Sequence, residues 1–259
     1  MDLGLKGRRA LVTGASKGIG KAIALELASE GVDVAICARG AGPLQATAAE
    51  LRSLGGRVFE RAVDVTDGPA LAAFVEAAAR ELGGLDVLVN NAGSALPGSF
   101  EEVEEVRWRG DLEVKLFAAM RGVRAALPHL KQSDQARIVN INSIVGRQSA
   151  PGYIANSTDR GACLAFNKVL ADELAPYGIL VNSVNPGNVK SEAWGSSLEH
   201  FAPGQTLESY YATVAAGTPL RRVGEPEEIA ALVVFLAGKR ASYITGASID
   251  VDGGLGRYI

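Results

Sequence analysis

The sequence predicts an α/β fold, in which one doubly wound parallel sheet of about seven strands forms a single domain over residues 1–259. Short apolar segments alternate with longer stretches of helical spacing, which is the pattern of parallel strands joined by crossover helices. The segments are near-continuous runs of Val, Ile, Leu and Ala, as expected for strands covered on both faces. The predicted strands lie at about 8–13, 32–37, 57–63, 86–90, 136–143, 179–184 and 247–251.

The composition supports a chain with a large core and without a broad charged surface. Of the 259 residues, 47% are hydrophobic and 21% are charged, and the formal net charge is −3. This balance argues against a nucleic-acid or membrane-surface partner, so any anion that the chain binds is held locally. No apolar run is long enough to span a bilayer. Cys37 and Cys163 lie in apolar runs, so we expect buried thiols, no metal site and a cytoplasmic protein.

One stretch departs from the alternating pattern, between the sixth strand and a helix that starts near Glu227. It covers about 189–217 and contains several aromatic and small polar residues. Insertions at this point of a doubly wound fold lie above the carboxyl ends of the strands, where ligands bind. We therefore expect a lid-like segment, called the lid segment below, with the aromatic residues Trp194, Phe201, Tyr210 and Tyr211. The alternative is a packed excursion of the surface without a role in binding.

A glycine-rich turn follows the first predicted strand. It contains Gly14, Gly18 and Gly20, and helical spacing begins directly after it. Glycines at this place allow a tight turn and a close approach of the backbone to a pyrophosphate, and the free amides of the helix N-terminus attract its charge. The turn predicts a dinucleotide site in a Rossmann-type fold. Its spacing differs from the common G-x-G-x-x-G pattern.

The spacing of these glycines and four later motifs resemble those of the short-chain dehydrogenase/reductase family. The later motifs are Asp64-Val65, Asn90-Asn91-Ala92-Gly93, Pro186-Gly187 and Val251-Asp252-Gly253-Gly254, and the likeness covers essentially the whole chain. The resemblance implies an oxidoreductase with a nicotinamide dinucleotide cofactor and a small-molecule substrate. The residues that it assigns to the cofactor are Gly14, Ser16, Lys17, Gly18, Ile19, Gly20, Arg39, Asp64, Val65, Asn91, Ala92, Gly93, Arg160, Pro186, Gly187 and Val189.

The end of the second strand predicts a preference for NADP(H) over NAD(H). Enzymes that prefer NAD place a carboxylate there, which accepts a hydrogen bond from the ribose 2′-hydroxyl and would repel a 2′-phosphate. This chain has Arg39 at that point and no acid, and Lys17 in the glycine turn adds a second cation. Both side chains could pair with a 2′-phosphate, or both could be solvated surface cations.

The predicted catalytic residues depart from the family's pattern. The family uses a Ser after the fifth strand, a Tyr and a Lys in Y-x-x-x-K, and an Asn on the preceding helix. Ser143 matches the Ser, whereas Asn156 stands at the Tyr position, Arg160 at the Lys position and Lys115 at the Asn position. Asn156 cannot titrate, and Arg160 stays charged near neutral pH. Cofactor binding is therefore expected more firmly than catalysis by the usual route.

Two residues could supply the missing proton. Tyr153 precedes Asn156 by three residues, but it could instead be an aromatic side chain at the mouth of the substrate site. Lys115 has a flexible stem, and burial beside Arg160 would lower its pKa toward neutrality. An ion pair with Asp111, one helical turn earlier, could instead turn the Lys115 amine away and keep it protonated. Two cations at the site would favour a substrate with a carboxylate or a developing oxyanion.

The sequence therefore predicts NADP(H)-dependent interconversion of a carbonyl and an alcohol by hydride transfer. A dinucleotide-binding sensor without activity and a non-redox enzyme in the same pocket are the alternatives. A homotetramer is expected, with a dimer as second choice, because two helices carry long apolar faces. These faces lie near 110–127 and 153–175 and contain Leu112, Leu116, Met120, Leu164, Phe166 and Leu170.

Overall fold

Seven parallel strands form one sheet in the computed structural model, which describes residues 2–191 and 194–258. The strands are β1 (Arg9–Thr13), β2 (Asp33–Ala38), β3 (Val58–Ala62), β4 (Val87–Asn90), β5 (Arg137–Ile141), β6 (Leu180–Pro186) and β7 (Ser248–Val251). Their order across the sheet is β3-β2-β1-β4-β5-β6-β7. Each lies within about two residues of its predicted segment, so the predicted fold class is confirmed.

Helices cover both faces of the sheet, as the continuous apolar strands predict. A π-helical turn, Glu113–Phe117, separates the fourth helix from the fifth. The helices in the described part are α1 (Gly18–Ser29), α2 (Ala41–Ser53), α3 (Gly68–Leu82), α4 (Glu105–Leu112), α5 (Ala118–Leu130), α6 (Ile154–Leu174), α7 (Gly195–Phe201), α8 (Leu207–Gly217) and α9 (Pro226–Ala237).

Two apolar clusters form the core, one on each face of the sheet. Successive side chains of a strand point to opposite faces, so Val12 packs in the cluster with α1, α2 and α9, while Leu11 packs in the cluster with α3, α5 and α6. Phe74 of α3 is fully buried in the second cluster. Because both faces are covered, the open edge for a ligand is the row of carboxyl strand ends.

The order of the strands reverses between β1 and β4, which creates a crevice at their carboxyl ends. Thr13, the last residue of β1, joins the two sides of this crevice. Its hydroxyl accepts hydrogen bonds from the backbone amides of Asn91 (3.0 Å) and Ala92 (3.1 Å). The crevice is therefore where the glycine turn and the predicted catalytic segments converge.

The lid segment contains α7 and α8, while its residues 192 and 193 lie outside the described part of the chain. Within residues 2–191 and 194–258, no helix combines the length and the apolarity needed to cross a membrane. Cys37 and Cys163 are free thiols. Cys37 is buried as predicted, but Cys163 is only half-buried because it faces a cavity beside Arg160.

Candidate active site

The glycine turn has a backbone that only glycine adopts without strain. Gly14 has a φ of +67°, and a Cβ there would lie 2.9 Å from the Cα of Ala92. A Cβ on Gly20 would lie 2.3 Å from the Asn91 amide nitrogen. Helix α1 starts at Gly18 without a side-chain cap, so its first amides point at the crevice. Such a turn can bind an anionic diphosphate.

The motif after β4 shapes this turn. The side-chain amide of Asn91 donates to the carbonyls of Thr13 (2.9 Å) and Gly14 (3.1 Å). Asn91 was predicted as a cofactor residue. Because its side-chain amide bonds to the glycine turn, it would act on a ligand by holding that turn in place. Ala92 and Gly93 follow it at the floor of the crevice, where Gly93 packs against both Arg160 and Lys115.

The outer end of the crevice carries the two predicted cations. Lys17 and Arg39 are both exposed, and no acid stands at the end of β2. Asp64 accepts hydrogen bonds from the backbone amide and the hydroxyl of Thr66, which lower the pKa of its carboxyl; Arg39 lowers that pKa further. Arg39 therefore lies close enough to Asp64 to interact with it, at the place where a ribose phosphate would bind.

The remaining predicted cofactor residues line the same edge. Ser16 accepts a hydrogen bond from the Thr47 hydroxyl through its carbonyl (3.2 Å). Gly187 lies so close to Asp252 that a Cβ would be 2.7 Å from the Asp252 Cβ. Val189 is buried and pairs with Gly224, whereas Ile19, Val65 and Pro186 pack around the crevice. The turn, the open amides and the two cations fit a nicotinamide dinucleotide.

Lys115 lies at the centre of the predicted catalytic cluster. Its side chain is 0% exposed, and its amine donates to the carboxylate of Asp111 and to Oδ1 of Asn156, the latter at 2.6 Å. The sequence left open whether this amine faces the site or pairs with Asp111. It does both, because its bond to Asp111 does not turn it away from Asn156. The amine of Lys115 therefore contacts Asn156, the residue at the family's Tyr position.

The pKa of the Lys115 amine is lowered to about 8. Burial is the largest cause, because it disfavours the charged form, and the guanidinium of Arg160 is the second. Asp111 opposes both by favouring the ammonium. The direction of this shift and its two causes are those expected from the sequence. An amine with this pKa can donate and accept a proton near neutral pH.

Arg160 joins the helix α6 to the end of β5. Its Nη1 donates to the carbonyl of Ile141 at 2.9 Å, while its Nε is buried without a hydrogen-bond partner among the described residues. Burial lowers the pKa of the guanidinium, which nevertheless remains a cation near neutral pH. Lys115 and Arg160 line one cavity of about 20 Å³ under the ends of β4 and β5. The Nε–H group of Arg160 could therefore donate a hydrogen bond to a hydroxyl of a ligand.

Ser143 lies in the loop that leaves β5, in extended backbone. It caps a short 3₁₀ turn, Ile144–Gly146, by accepting a hydrogen bond from Val145 at 3.4 Å. This turn packs on the backbone of Arg160, since a Cβ on Gly146 would lie 2.8 Å from the Arg160 carbonyl carbon. Ser143 is half-buried beside the crevice, which leaves its hydroxyl available to a substrate oxygen.

Tyr153 contacts the lid segment. Its ring lies 4.9 Å from that of Phe201, and its hydroxyl lies near Ser197 and Tyr210. Burial raises the pKa of the Tyr153 phenol, the opposite of what a proton donor near neutral pH requires. The geometry therefore favours the aromatic mouth residue over the proton donor, two alternatives that the sequence leaves open.

The structure adds polar residues that sequence reasoning missed. Asn90 Nδ2 donates to Asn140 Oδ1, and Asn140 Nδ2 donates to Asn167 Oδ1, both at 2.9 Å. These buried amides connect the ends of β4 and β5 to α6. Trp108 and Asp159 were also missed. The position of Asp159, between Asn156 and Arg160 in the sequence, could have indicated that it belongs to the site. Asp159 is 1% exposed, and burial of a carboxylate costs free energy unless the group is paired or neutralised.

Comparisons with known proteins match nearly the whole chain. A family model described as enoyl-(acyl carrier protein) reductase matches residues 14–256. The short-chain reductase protein NovJ of Streptomyces niveus is 37% identical over 95% of this chain and 92% of its own. The 3-oxoacyl-[acyl-carrier-protein] reductase FabG of Vibrio cholerae is 35% identical over 98% of this chain and 99% of its own.

A solved structure is similar in fold and in description. It is the NADPH-bound short chain oxidoreductase from Pseudomonas aeruginosa PAO1, described as containing an atypical catalytic center. It shares 37% identity and a TM-score of 0.90 with this chain, over 97% of this chain and 98% of that one. The oxidoreductase from Pseudomonas aeruginosa therefore binds NADPH on a fold similar to that of this chain.

Proposed function

Because the chain belongs to the short-chain dehydrogenase/reductase family, we propose that it interconverts a carbonyl and an alcohol with NADP(H), using Lys115 as the proton donor. The single observation that supports this most is the contact of the buried Lys115 amine with Asn156, the residue at the family's Tyr position. An amine with a pKa of about 8 replaces a phenol that would need a lowered pKa. Lys115, Asn156 and Arg160, which replace the family's usual residues, then work together as one active site.

Preference for NADP(H) follows from the two exposed cations at the outer end of the crevice. Arg39 and Lys17 would each form a charge-assisted pair with a 2′-phosphate, and no carboxylate at the end of β2 opposes it. The NADPH that the relative from Pseudomonas aeruginosa binds supports this assignment. The amides at the start of α1 would bind the pyrophosphate.

Each residue of the cluster has one role in the reaction. NADPH, when bound, supplies the hydride to the carbonyl carbon. Ser143 binds the substrate oxygen, and Lys115 transfers a proton to it as charge develops there. Asn156 orients the Lys115 amine through its Oδ1. Arg160 binds ribose hydroxyls through donors that include Nε, which has no partner among residues 2–191 and 194–258. In the oxidative direction, the neutral Lys115 amine accepts the proton.

The lid segment and the two buried cations limit the substrate. We propose that the lid segment covers the carbonyl, because Tyr153 at the start of α6 contacts Phe201 and Tyr210 of that segment. Lys115 and Arg160 together favour a substrate that carries a carboxylate next to the carbonyl or develops an oxyanion. The aromatic residues suit an apolar or planar portion of the same substrate.

A dinucleotide sensor is the second candidate, and one observation favours it: Asn156 cannot transfer a proton. NADPH fluorescence and NADPH oxidation, followed together over a panel of ketones and 2-keto acids, distinguish the two functions. Binding with oxidation supports the reductase. Binding without NADPH oxidation in the presence of any of these carbonyls supports the sensor or a non-redox enzyme, and absence of NADPH binding contradicts all three.

A further inference from the structure

A second pair of titratable groups lies directly behind Lys115, between α4 and α6. Asp111 of α4 has a side chain that is 8% exposed, and Asp159 of α6 is 1% exposed. Trp108 Nε1 donates to Asp159 Oδ1 at 3.0 Å. The roles assigned above use Asp111 only as a partner of Lys115 and leave Asp159 without any role. Two carboxyl groups in one buried place are costly unless they are paired or neutralised.

The two carboxyl groups can bond to each other only through a proton. Trp108 and Asp111 lie about one turn apart on α4, and Trp108 bonds to Asp159 of α6. The amine of Lys115 bonds both to Asp111 and to Asn156, which lies about one turn from Asp159. The carboxyl groups of Asp111 and Asp159 therefore face each other, close enough to interact. An ionised carboxylate has no donor, so two ionised groups at this distance repel, whereas one proton between them forms a hydrogen bond. Asp159 Oδ2 is buried and has no other hydrogen-bond partner in the described part of the chain. The geometry therefore favours a singly protonated pair.

Resting on the function proposed above, we propose that Asp111 and Asp159 share one proton and return it to Lys115 after each reduction. During reduction, an N–H bond of Lys115 breaks as an O–H bond forms on the substrate. The O–H bond of the carboxyl pair then breaks as the N–H bond of Lys115 re-forms. Asp111 contacts both Asp159 and Lys115, so it lies on the path of the proton. Asp111 is also the member of the pair with an exposed edge, 8% of its side chain, through which solvent restores the proton.

The charges around the pair fit this exchange. The titratable groups that face it are Lys115 of the π-helical turn and Arg160 and Cys163 of α6. Burial, and then the bond to Asp111, raise the pKa of Asp159 to about 7, just below the value of about 8 for Lys115. Both groups therefore titrate near neutral pH, so a proton can pass between the pair and Lys115 in either direction.

The unmodified protein provides the first test. Carboxyl ¹³C NMR of aspartate-labelled protein, with the Asp159 signal assigned by its absence in Asp159→Asn, follows the carboxyl over pH. We expect Asp159 to change ionisation near neutral pH. Complete ionisation below pH 5, which is typical of an ordinary aspartate, would overturn the proposal whatever the variant does.

The variant Asp159→Asn provides the second test, since it keeps the acceptor for Trp108 and removes the titrating group. Near pH 8, where Asp159 of the unmodified protein is ionised, the variant takes a negative neighbour away from Lys115. The pKa of Lys115 therefore falls, and the loss of activity at alkaline pH begins at lower pH. A shift of about one unit lowers the protonated fraction of Lys115 at pH 8 by about fivefold. Labelled-lysine NMR reads that shift without turnover. Asp172→Asn, an exposed position on the same helix, is the matched control.

The outcomes separate this proposal from the function on which it rests. If Lys115→Met loses turnover while Asp159→Asn changes neither the pH profile nor the Lys115 pKa, only the carboxyl pair is wrongly assigned. If Lys115→Met keeps full turnover, the proposed function itself is wrong. Shifts in both measurements for Asp159→Asn, with none for Asp172→Asn, support the proton supply.

Discussion

Arg39 is the residue on which the cofactor preference depends. A charge-assisted pair with a 2′-phosphate contributes about 1.5–3 kcal/mol, which is more than tenfold in affinity. We expect Arg39→Asp to reverse the preference, so that NADH binds more tightly than NADPH, because the new carboxylate repels the phosphate and accepts from a 2′-hydroxyl. Fluorescence titration with both cofactors measures this.

The control for that substitution is Arg240→Asp, which makes the same change of charge in the 3₁₀ turn after α9. It should leave both affinities unchanged. Equal affinities of the unmodified protein for NADPH and NADH would contradict the assignment of Arg39.

At the scale of elements, the start of α6 and the lid segment form one contact. Tyr153→Phe removes the hydroxyl that lies near Ser197 and Tyr210 but keeps the ring against Phe201. We expect KM to rise several-fold and kcat to change little, because the lost polar contact, worth about 1 kcal/mol, weakens the packing of α6 against the lid segment and leaves Lys115 in place. Steady-state kinetics measure the split.

Tyr177→Phe, an exposed position in the 3₁₀ turn after α6, is the control and should change neither constant. A Tyr153→Phe variant that binds substrate normally and has lost its turnover would show that the tyrosine supplies the proton instead of Lys115.

The elements were predictable from the sequence, and the site was predictable only in part. Buried strands and a glycine turn are local patterns, so their positions follow from residue order alone. The lowered pKa of Lys115 was also predictable, because it needs only burial and Arg160. The π-helical turn that carries Lys115, and the meeting of Asp111 with Asp159, depend on how α4 packs against α6, which no local pattern encodes.

At the scale of the whole molecule, the faces near 110–127 and 153–175 predict self-association. Phe117 and Val169 remain 36% and 56% exposed in the single chain, next to other half-buried apolar residues. We expect a homotetramer, so light scattering at micromolar concentration should give about four times 26.9 kDa. Val169→Glu should lower that mass by placing a charge in the interface, and the mass of one chain for the unmodified protein would contradict the prediction.

The most direct test of the central claim is the turnover of Lys115→Met with NADPH and a reducible carbonyl. General acid catalysis contributes about 100-fold to 10,000-fold, so turnover should fall by at least about 100-fold while NADPH affinity stays nearly unchanged. Lys131→Met, on the exposed end of α5, should retain activity. In the unmodified protein, reduction should slow above about pH 8 as Lys115 loses its proton. Full turnover by Lys115→Met would contradict the assignment of Lys115 as the proton donor.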